Sequence, residues 1–413
     1  MTNFFPKKFL ILVLFIGLVV RIVYIFKFSP TNIDIPSGDA VGYNTLAKNL
    51  LRYGQLAYEK DKLTAHREPV YPIFLFLVYK VFGESVFLVR VVQSALSVLS
   101  IYFIFFITKK IFGNKEAVIS STITCFWPTF IYYSATLLRE TVFTFWLLLC
   151  VYVVVQVIKD SESARLMNYV LLGIFFGIGC LINSVMVVVL ICFLIYFLLI
   201  KIDFRKILLV GLVFCLIYSV WIIRNYKVFG GFVFGSTNGG KTFWDGTDII
   251  PFEVRGLPEE KVIEQQTEDI ILASKIEDEI ERDKFFYKRT FEYIKNYPRR
   301  YLGLVVKKFF KFWRVVPHKG RSYGVSSNFV NIVSFVSYVP ILVFFVVGIF
   351  FGFRRKDIII LILPILSLCV IYSIFWSQVR YRLPVEPYII IFSSFGMVEL
   401  FKIIRVKLFI YKR

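Results

Sequence analysis

Apolar blocks of roughly 20 residues, each with few or no charges, alternate with short polar links along most of this chain. That is the length a helix needs to cross the hydrocarbon core of a bilayer. The blocks predict spans at Phe9–Phe26, Val86–Ile107, Ala117–Thr136, Thr141–Ile158, Tyr169–Leu181, Val185–Ile200, Ile207–Ile223, Phe329–Phe351, Ile358–Phe375 and Val385–Leu400. The block at Tyr169 is short for a span, and no internal repeat stands out. The pattern describes an all-α integral membrane protein with about ten transmembrane helices.

Two regions depart from it. Residues 28–85 hold Asp39, then the amphipathic run Tyr43, Leu46, Ala47, Leu50 and Leu51, then His66-Arg67-Glu68-Pro69 and the short apolar stretch Val70 to Phe82. This predicts a first outer loop folded back onto the membrane surface. Asn225–Asn328 is the one sizeable polar region and holds 14 of the 28 acidic residues. It opens with glycine- and aromatic-rich loops and turns helical from about Pro258 to Tyr297, with Ile270, Ile271, Ile276 and Ile280 near helical spacing. Pro298 follows, and Arg299 to Val316 is basic and aromatic, the pattern of a helix lying in the interface. Three regions result: a bundle over 1–224, an outer-face segment over 225–328, and C-terminal helices over 329–413.

Net charge is +21, from 49 Lys and Arg against 28 Asp and Glu. Such a balance suits a nucleic-acid or anionic-lipid binder, but here the basic residues fall at alternate links. Lys7-Lys8, Lys109-Lys110-Lys115, Lys159 with Arg165, Lys201-Arg205-Lys206, Arg354-Arg355-Lys356 and the tail from Lys402 all share one side if the ten spans alternate. Cytoplasmic links collect Lys and Arg, so that side is the cytoplasm and nucleic acid is not needed to explain the charge. The other side receives the Asp39 loop, Arg139-Glu140, Asn183-Ser184, the 225–328 segment and Trp376 to Pro384. Lys7-Lys8 followed by a long apolar run, with no small-residue cleavage site, reads as an uncleaved first span.

All six cysteines lie inside apolar blocks and none forms a CxxC pair, so neither a disulfide nor a zinc site is indicated. Two histidines, His66 and His318, exclude a histidine-rich metal site.

Chemistry-bearing residues gather on the outer side. Asp39 follows Ser37-Gly38; it suits a general base within reach of a substrate hydroxyl, or the cap of the helix that follows. Glu140 is a second outer acid, or the partner of Arg139 in a surface pair. Arg380 and Arg382 lie where basic residues are depleted; arginine forks match phosphate oxygens, and snorkelling to head groups is the other reading. Arg21, Arg90 and Arg224 sit at or within the outer ends of spans, where charge points to function, snorkelling to the interface being the other reading for each. Ser236–Gly240 followed by Lys241 is only loosely like a phosphate-cradling loop and lacks the Walker spacing.

Gly38-Asp39 with Tyr43, Ala47 and Asn49-Leu50-Leu51 open a longer series. It continues through Arg67-Glu68-Pro69-Val70-Tyr71-Pro72, Phe82-Gly83, Tyr132-Tyr133-Ser134 and Glu140-Thr141. Trp221 to Tyr226, Phe229-Gly230, Ser236-Thr237, Gly239-Gly240, Asn296-Tyr297-Pro298 and Arg380-Tyr381-Arg382-Leu383-Pro384 complete it. In order and spacing the series resembles the C-type (GT-C) multi-spanning glycosyltransferases that use polyprenyl-phosphate sugars. The nearer group is the relatives of protein O-mannosyltransferases and of the aminoarabinose transferase of lipid A. Asp39 stands alone where the family often pairs two acids, Glu68 stands where a second proline is common, and Asn183-Ser184 replaces a common Arg-Pro. The resemblance implies inverting transfer of a sugar from a polyprenyl-phosphate donor to a hydroxyl of a lipid, glycan or protein acceptor, at the extracytoplasmic face of the cell membrane. Asp39 is then the base and Glu140 a catalytic partner. Arg380, Arg382, Arg224 and Lys241 bind donor phosphate, and Tyr43, His66, Arg67, Glu68 and Tyr71 line the acceptor side. Members differ in metal use, so no metal ligand is assigned and a divalent cation is left open. The rival class, a transporter or flippase of lipid-linked sugars, calls for mid-span polar residues and internal repeats.

Overall fold

The computed structural model describes residues 5–28, 38–159, 165–247, 268–316 and 326–410. The expected spans are helices α1 (Phe5–Phe28), α4 (Val86–Ile111), α7 (Glu140–Lys159), α8 (Leu166–Ile182), α9 (Met186–Leu199), α10 (Phe204–Phe229), α14 (Ser327–Gly352), α15 (Ile359–Ile374) and α16 (Glu386–Ile410). Between them lie α2 (Asp39–Tyr53), α3 (Val70–Phe82), α11 (Gly239–Asp245), α12 (Glu279–Asn296) and α13 (Pro298–Phe312). Among the described residues seven helices are long and apolar enough to cross a membrane; α3, α8 and α9 are shorter apolar helices.

The third expected span, Ala117–Thr136, is not one helix. It is split into α5 (Asn114–Cys125) and α6 (Pro128–Ser134). Pro128 cannot donate a helical hydrogen bond and pushes the residue before it out of the helical region; Trp127 is extended there. The break is put to use, since the Trp127 indole donates to Glu386 Oε2 at 2.7 Å. Elsewhere small residues let helices close on one another: Gly173 and Gly177 of α8 face Val213 and Ile217 of α10, and Gly348 and Gly396 lie where a Cβ would strike the facing backbone.

The basic links meet at one end of the bundle. Lys159 pairs with Asp357 at 2.6 Å, and Arg355 donates to the Ile111 carbonyl at 2.6 Å. At the opposite end lie the amphipathic α2, the short apolar α3, and α11 to α13. A two-stranded hairpin, β1 (Ala57–Glu59) and β2 (Lys62–Leu63), joins α2 to α3 there and pairs Ala57 with Leu63. The hydropathy pattern gives no sign of it. The α12 helix starts late within the predicted helical stretch, at its Asp278 cap, which accepts from the backbone of Ile280 and Glu281. Residues 258–267 of that stretch, Ser37 and His318 lie outside the described residues. The α13 helix buries Leu304, Lys308 and Phe312 and exposes Leu302, Val306, Phe309 and Phe310, as an interfacial helix does.

Candidate active site

Asp39 is the first residue of α2, and Gly38 is the cap. Gly38 has φ +83° and ψ −132°, which a side chain at this position would disfavour, and it aims the next residue inward. No side chain caps α2. The Asp39 carboxylate is instead held by two arginines: Arg67 Nη2 donates to Oδ1 at 2.6 Å and Arg380 Nη2 to Oδ2 at 2.5 Å. Arg67 comes from the loop before α3 and lies 5.3 Å from the Tyr43 ring. Arg380 comes from a single 3₁₀ turn, Val379–Arg382, between α15 and α16. Its Nε is 3.4 Å from Glu140 Oε1, so one guanidinium bridges the two acids that head α2 and α7. Glu140 Oε2 is buried with no hydrogen-bond partner.

These groups line a cavity of about 480 Å³. Arg139, Asn183 and Ser184 add to its polar wall, as do Ser236, Asn238, Thr242 and Asp245. Val187 and Val188 of α9, Ile371 of α15, Phe234 and Trp376 form an apolar wall. Burial opposes the charge on Asp39, but Arg380 and Arg67 outweigh it and hold the carboxyl well below the usual carboxylate range. Burial also opposes the charge on Glu68, which Arg139 and the Ser184 donors outweigh, so its value too is lowered. The site is a charge-compensated cluster in which Asp39, Glu68 and Glu140 each contact a guanidinium.

Residues 66–223 match the family model for dolichyl-phosphate-mannose-protein mannosyltransferase. Among solved structures, the oligosaccharyltransferase AglB of Archaeoglobus fulgidus, in complex with an inhibitory peptide and a dolichol-phosphate, superposes with a TM-score of 0.59 at 14% identity. The alignment covers 99% of this chain and 51% of that one, so the chain spans about half the length of that enzyme. The same A. fulgidus protein in complex with Zn and sulfate gives a TM-score of 0.58 at 14% identity, over 96% of this chain and 50% of that one. The chain thus shares its fold with about half of that oligosaccharyltransferase. ArnT from Cupriavidus metallidurans, bound to undecaprenyl phosphate, aligns less closely, with a TM-score of 0.47 at 13% identity over 95% of this chain and 78% of its own. A search of curated proteins gives no significant match.

Within this fold the predicted site residues divide. Asp39, Glu140, Arg380, Tyr43, Arg67 and Glu68 line the cavity; Arg382, Arg224, Lys241, His66 and Tyr71 do not. Arg382 lies two residues beyond Arg380 on the tight turn and points the other way. It is buried against Glu386 at 3.1 Å, donates to the carbonyls of Phe312 and Arg314, and stacks 3.8 Å over the Tyr338 ring. Those partners make it a structural anchor outside the cavity lining. Arg224 donates to the Thr64 carbonyl and Asn225 Oδ1 and packs on Trp221 and Phe229. Lys241 pairs with Asp245. His66 packs on Tyr58; burial, with Arg67 and Arg282 nearby, lowers its imidazole to about 4. Tyr71 is buried beneath Tyr43 and donates to Gln93 at 2.8 Å.

Among the cavity residues to which the sequence reading gave no site role, Arg139 carries a charge. Arg139 is not the partner of Glu140; its Nη1 donates to Glu68 Oε2 at 2.5 Å, while Glu68 Oε1 accepts from the Ser184 backbone at 3.2 Å and hydroxyl at 2.9 Å. The departures Glu68 and Ser184 are thus a matched pair, and Glu68 ties α3 to α7 and to the α8–α9 turn. The depletion of basic residues on the outer side, which singled out Arg380, applies equally to Arg139. Glu68→Leu is expected to lower stability by about 3 kcal/mol, because it leaves a largely buried guanidinium unpaired. A thermal unfolding curve in detergent checks this, and an unchanged midpoint would show that the pair is not needed.

Among the described residues no three His, Cys, Asp or Glu side chains converge as a metal-ligand group. Both oxygens of Asp39 accept from arginines, and the Arg380 guanidinium fills the space between Asp39 and Glu140. The residues present do not fit a divalent cation without displacing Arg380.

Proposed function

We propose that this protein transfers a sugar from a polyprenyl-phosphate donor to an acceptor hydroxyl, with inversion, on the extracytoplasmic face of the cell membrane. The observation that carries the reading is the Asp39–Arg380–Glu140 constellation in a cavity lined by both polar and apolar side chains. The family match over residues 66–223 supports a lipid-linked sugar donor and does not favour the transporter alternative. The acceptor's face is argued from charge: the basic links gather at the end opposite the cavity, and basic links mark the cytoplasm.

In this mechanism the polyprenyl tail runs along the Val187, Val188 and Ile371 wall and the donor phosphate meets Arg380. The acceptor oxygen attacks the anomeric carbon from the side opposite the phosphate. The bond from that carbon to the phosphate oxygen breaks, and its electron pair leaves with the phosphate. The acceptor proton passes to Asp39. A phosphodiester with one negative charge departs as a monoester with two, so Arg380 interacts most strongly once the bond is breaking, where fixed cations contribute most. A carboxylate held by two arginines is a weak base. When the phosphate takes over Arg380, Asp39 keeps only Arg67 and its basicity rises, which times the base to a loaded donor site. Glu140 orients the Arg380 guanidinium and the incoming hydroxyl.

Sealed right-side-out vesicles carrying the purified protein test donor class and face together. With polyprenyl-phosphate hexoses and pentoses supplied in the outer leaflet, at least one is expected to release polyprenyl phosphate when a membrane-impermeant acceptor pool is added outside. Release from lipid diphosphate sugars alone, or release only when acceptor is inside, would overturn the reading.

A further inference from the structure

Beneath the cavity, two backbone segments that line it converge on one buried amine. Lys308 of α13 is fully buried. Its Nζ donates to the carbonyls of Ile374 at 2.6 Å, Phe375 at 3.0 Å and Gly246 at 3.2 Å. An ammonium has three N–H donors, and all three are used. Ile374 and Phe375 close α15 and lead, through Trp376, to the turn that carries Arg380. Gly246 follows α11, and the Phe375 carbonyl lies where its Cβ would be, so the two segments touch at the backbone. Phe243 stacks on Phe375, with ring centroids 4.6 Å apart. Packing alone would therefore bring the segments together, but three carbonyl oxygens crowded in a dry place repel unless a donor group sits among them.

The same helix holds the segment again at its other end. Tyr301 donates to the Ile374 carbonyl at 2.7 Å, and Arg382 reaches back to the carbonyls of Phe312, the last residue of α13, and Arg314 just beyond it. Arg380 thus lies on a short span fixed to α13 before and after it. Burial, with Lys311 nearby, lowers the Lys308 amine to about 7. An apolar side chain would fill this place without that desolvation cost, so what the amine provides is its set of hydrogen bonds.

We infer that Lys308 is a positioning residue for donor binding, acting through Arg380: by fixing residues 374–376 it sets the guanidinium between Asp39 and Glu140. The inference rests on the proposed donor-phosphate role of Arg380. The test uses the full chain in nanodiscs and polyprenyl phosphate as probe, with affinity and thermal unfolding measured separately. Lys308→Met is expected to weaken binding on the order of tenfold in the wild-type background, and to add nothing in an Arg380→Ala background, since two changes acting through one contact are not additive. A merely structural lysine would weaken binding equally in both backgrounds. That result, or wild-type affinity for Lys308→Met, overturns the inference. If Lys308→Met does not fold, Tyr301→Phe removes a single donor to Ile374; a two- to threefold loss, roughly, confined to the wild-type background supports the inference, and no loss overturns it. If Arg380→Ala itself binds polyprenyl phosphate normally, the donor reading has failed before Lys308 is considered.

Discussion

Asp39→Asn is expected to lower the transfer rate by about 10²–10⁴-fold, the usual loss when a general base is removed. The substitution keeps the shape of the side chain and one acceptor oxygen, and Asn is as good a helix cap as Asp. A capping role therefore predicts a nearly silent change. The structure already separates the two roles, because Gly38 caps α2 and Asp39 is held by Arg67 and Arg380. Some stability is lost with the charge, since a neutral amide replaces the carboxylate beside Arg67 and Arg380, and of the two Arg380 still has Glu140 at 3.4 Å, so thermal unfolding is followed beside transfer. The pH dependence carries a second expectation. Burial raises the carboxyl of Asp39 less than Arg380 and Arg67 lower it, so its folded value lies below the unfolded one. The associated stability is present above the ordinary carboxylate range and is lost only as pH falls through the lower, folded value. The free enzyme thus carries an ionised Asp39 throughout the neutral range, and kcat/KM for the donor is expected to show no acid limb from this group near neutral pH.

Arg380→Ala is expected to cost about 10²–10³-fold in kcat/KM for the donor, comparable with removing one preorganised donor from an oxyanion site. Two effects combine in it. The leaving phosphate loses its cation, and Asp39 and Glu140 lose the guanidinium that separates them. Arg380→Lys restores the charge but not the fork that reaches both acids, so it is expected to fall between wild type and Ala. Arg382→Ala behaves differently: its partners are Glu386 and two backbone carbonyls, so stability falls first. Steady-state kinetics and melting curves for the three variants separate these outcomes. Normal donor use by Arg380→Ala would remove this residue from the chemistry.

The hydropathy blocks carried most of the fold, because in a bilayer an apolar run of span length has few alternatives to a helix. They failed where one proline outweighed composition: Ala117 to Thr136 is apolar enough to read as one span, and Pro128 divides it. The Asp39 loop was legible as an amphipathic helix followed by a polar cluster, yet the 57–63 hairpin has no apolar alternation to announce it. Position along the chain picked out loops that meet at one cavity, those of Asp39, Glu140 and Arg380, but not the direction of each side chain. Arg380 and Arg382 carry the same signal in sequence, and a turn of 3₁₀ helix sends one to the cavity and the other into the core. Arg139 and Glu140 are adjacent and opposite in charge, which suggests a local pair. The structure instead joins Arg139 to Glu68, 71 residues away, and Glu140 to Arg380. Such pairings depend on how α3, α7 and the 379–382 turn meet, and no local pattern encodes that.

Donor phosphate is expected to replace Asp39 at Arg380. A cryo-EM structure of the protein in a nanodisc loaded with polyprenyl phosphate tests this. It is expected to show a phosphate oxygen on the Arg380 guanidinium, the Asp39–Arg380 pair opened, Asp39 still held by Arg67, and the polyprenyl chain along Val187, Val188 and Ile371. A phosphate bound elsewhere, with the Asp39–Arg380 pair intact, would contradict it.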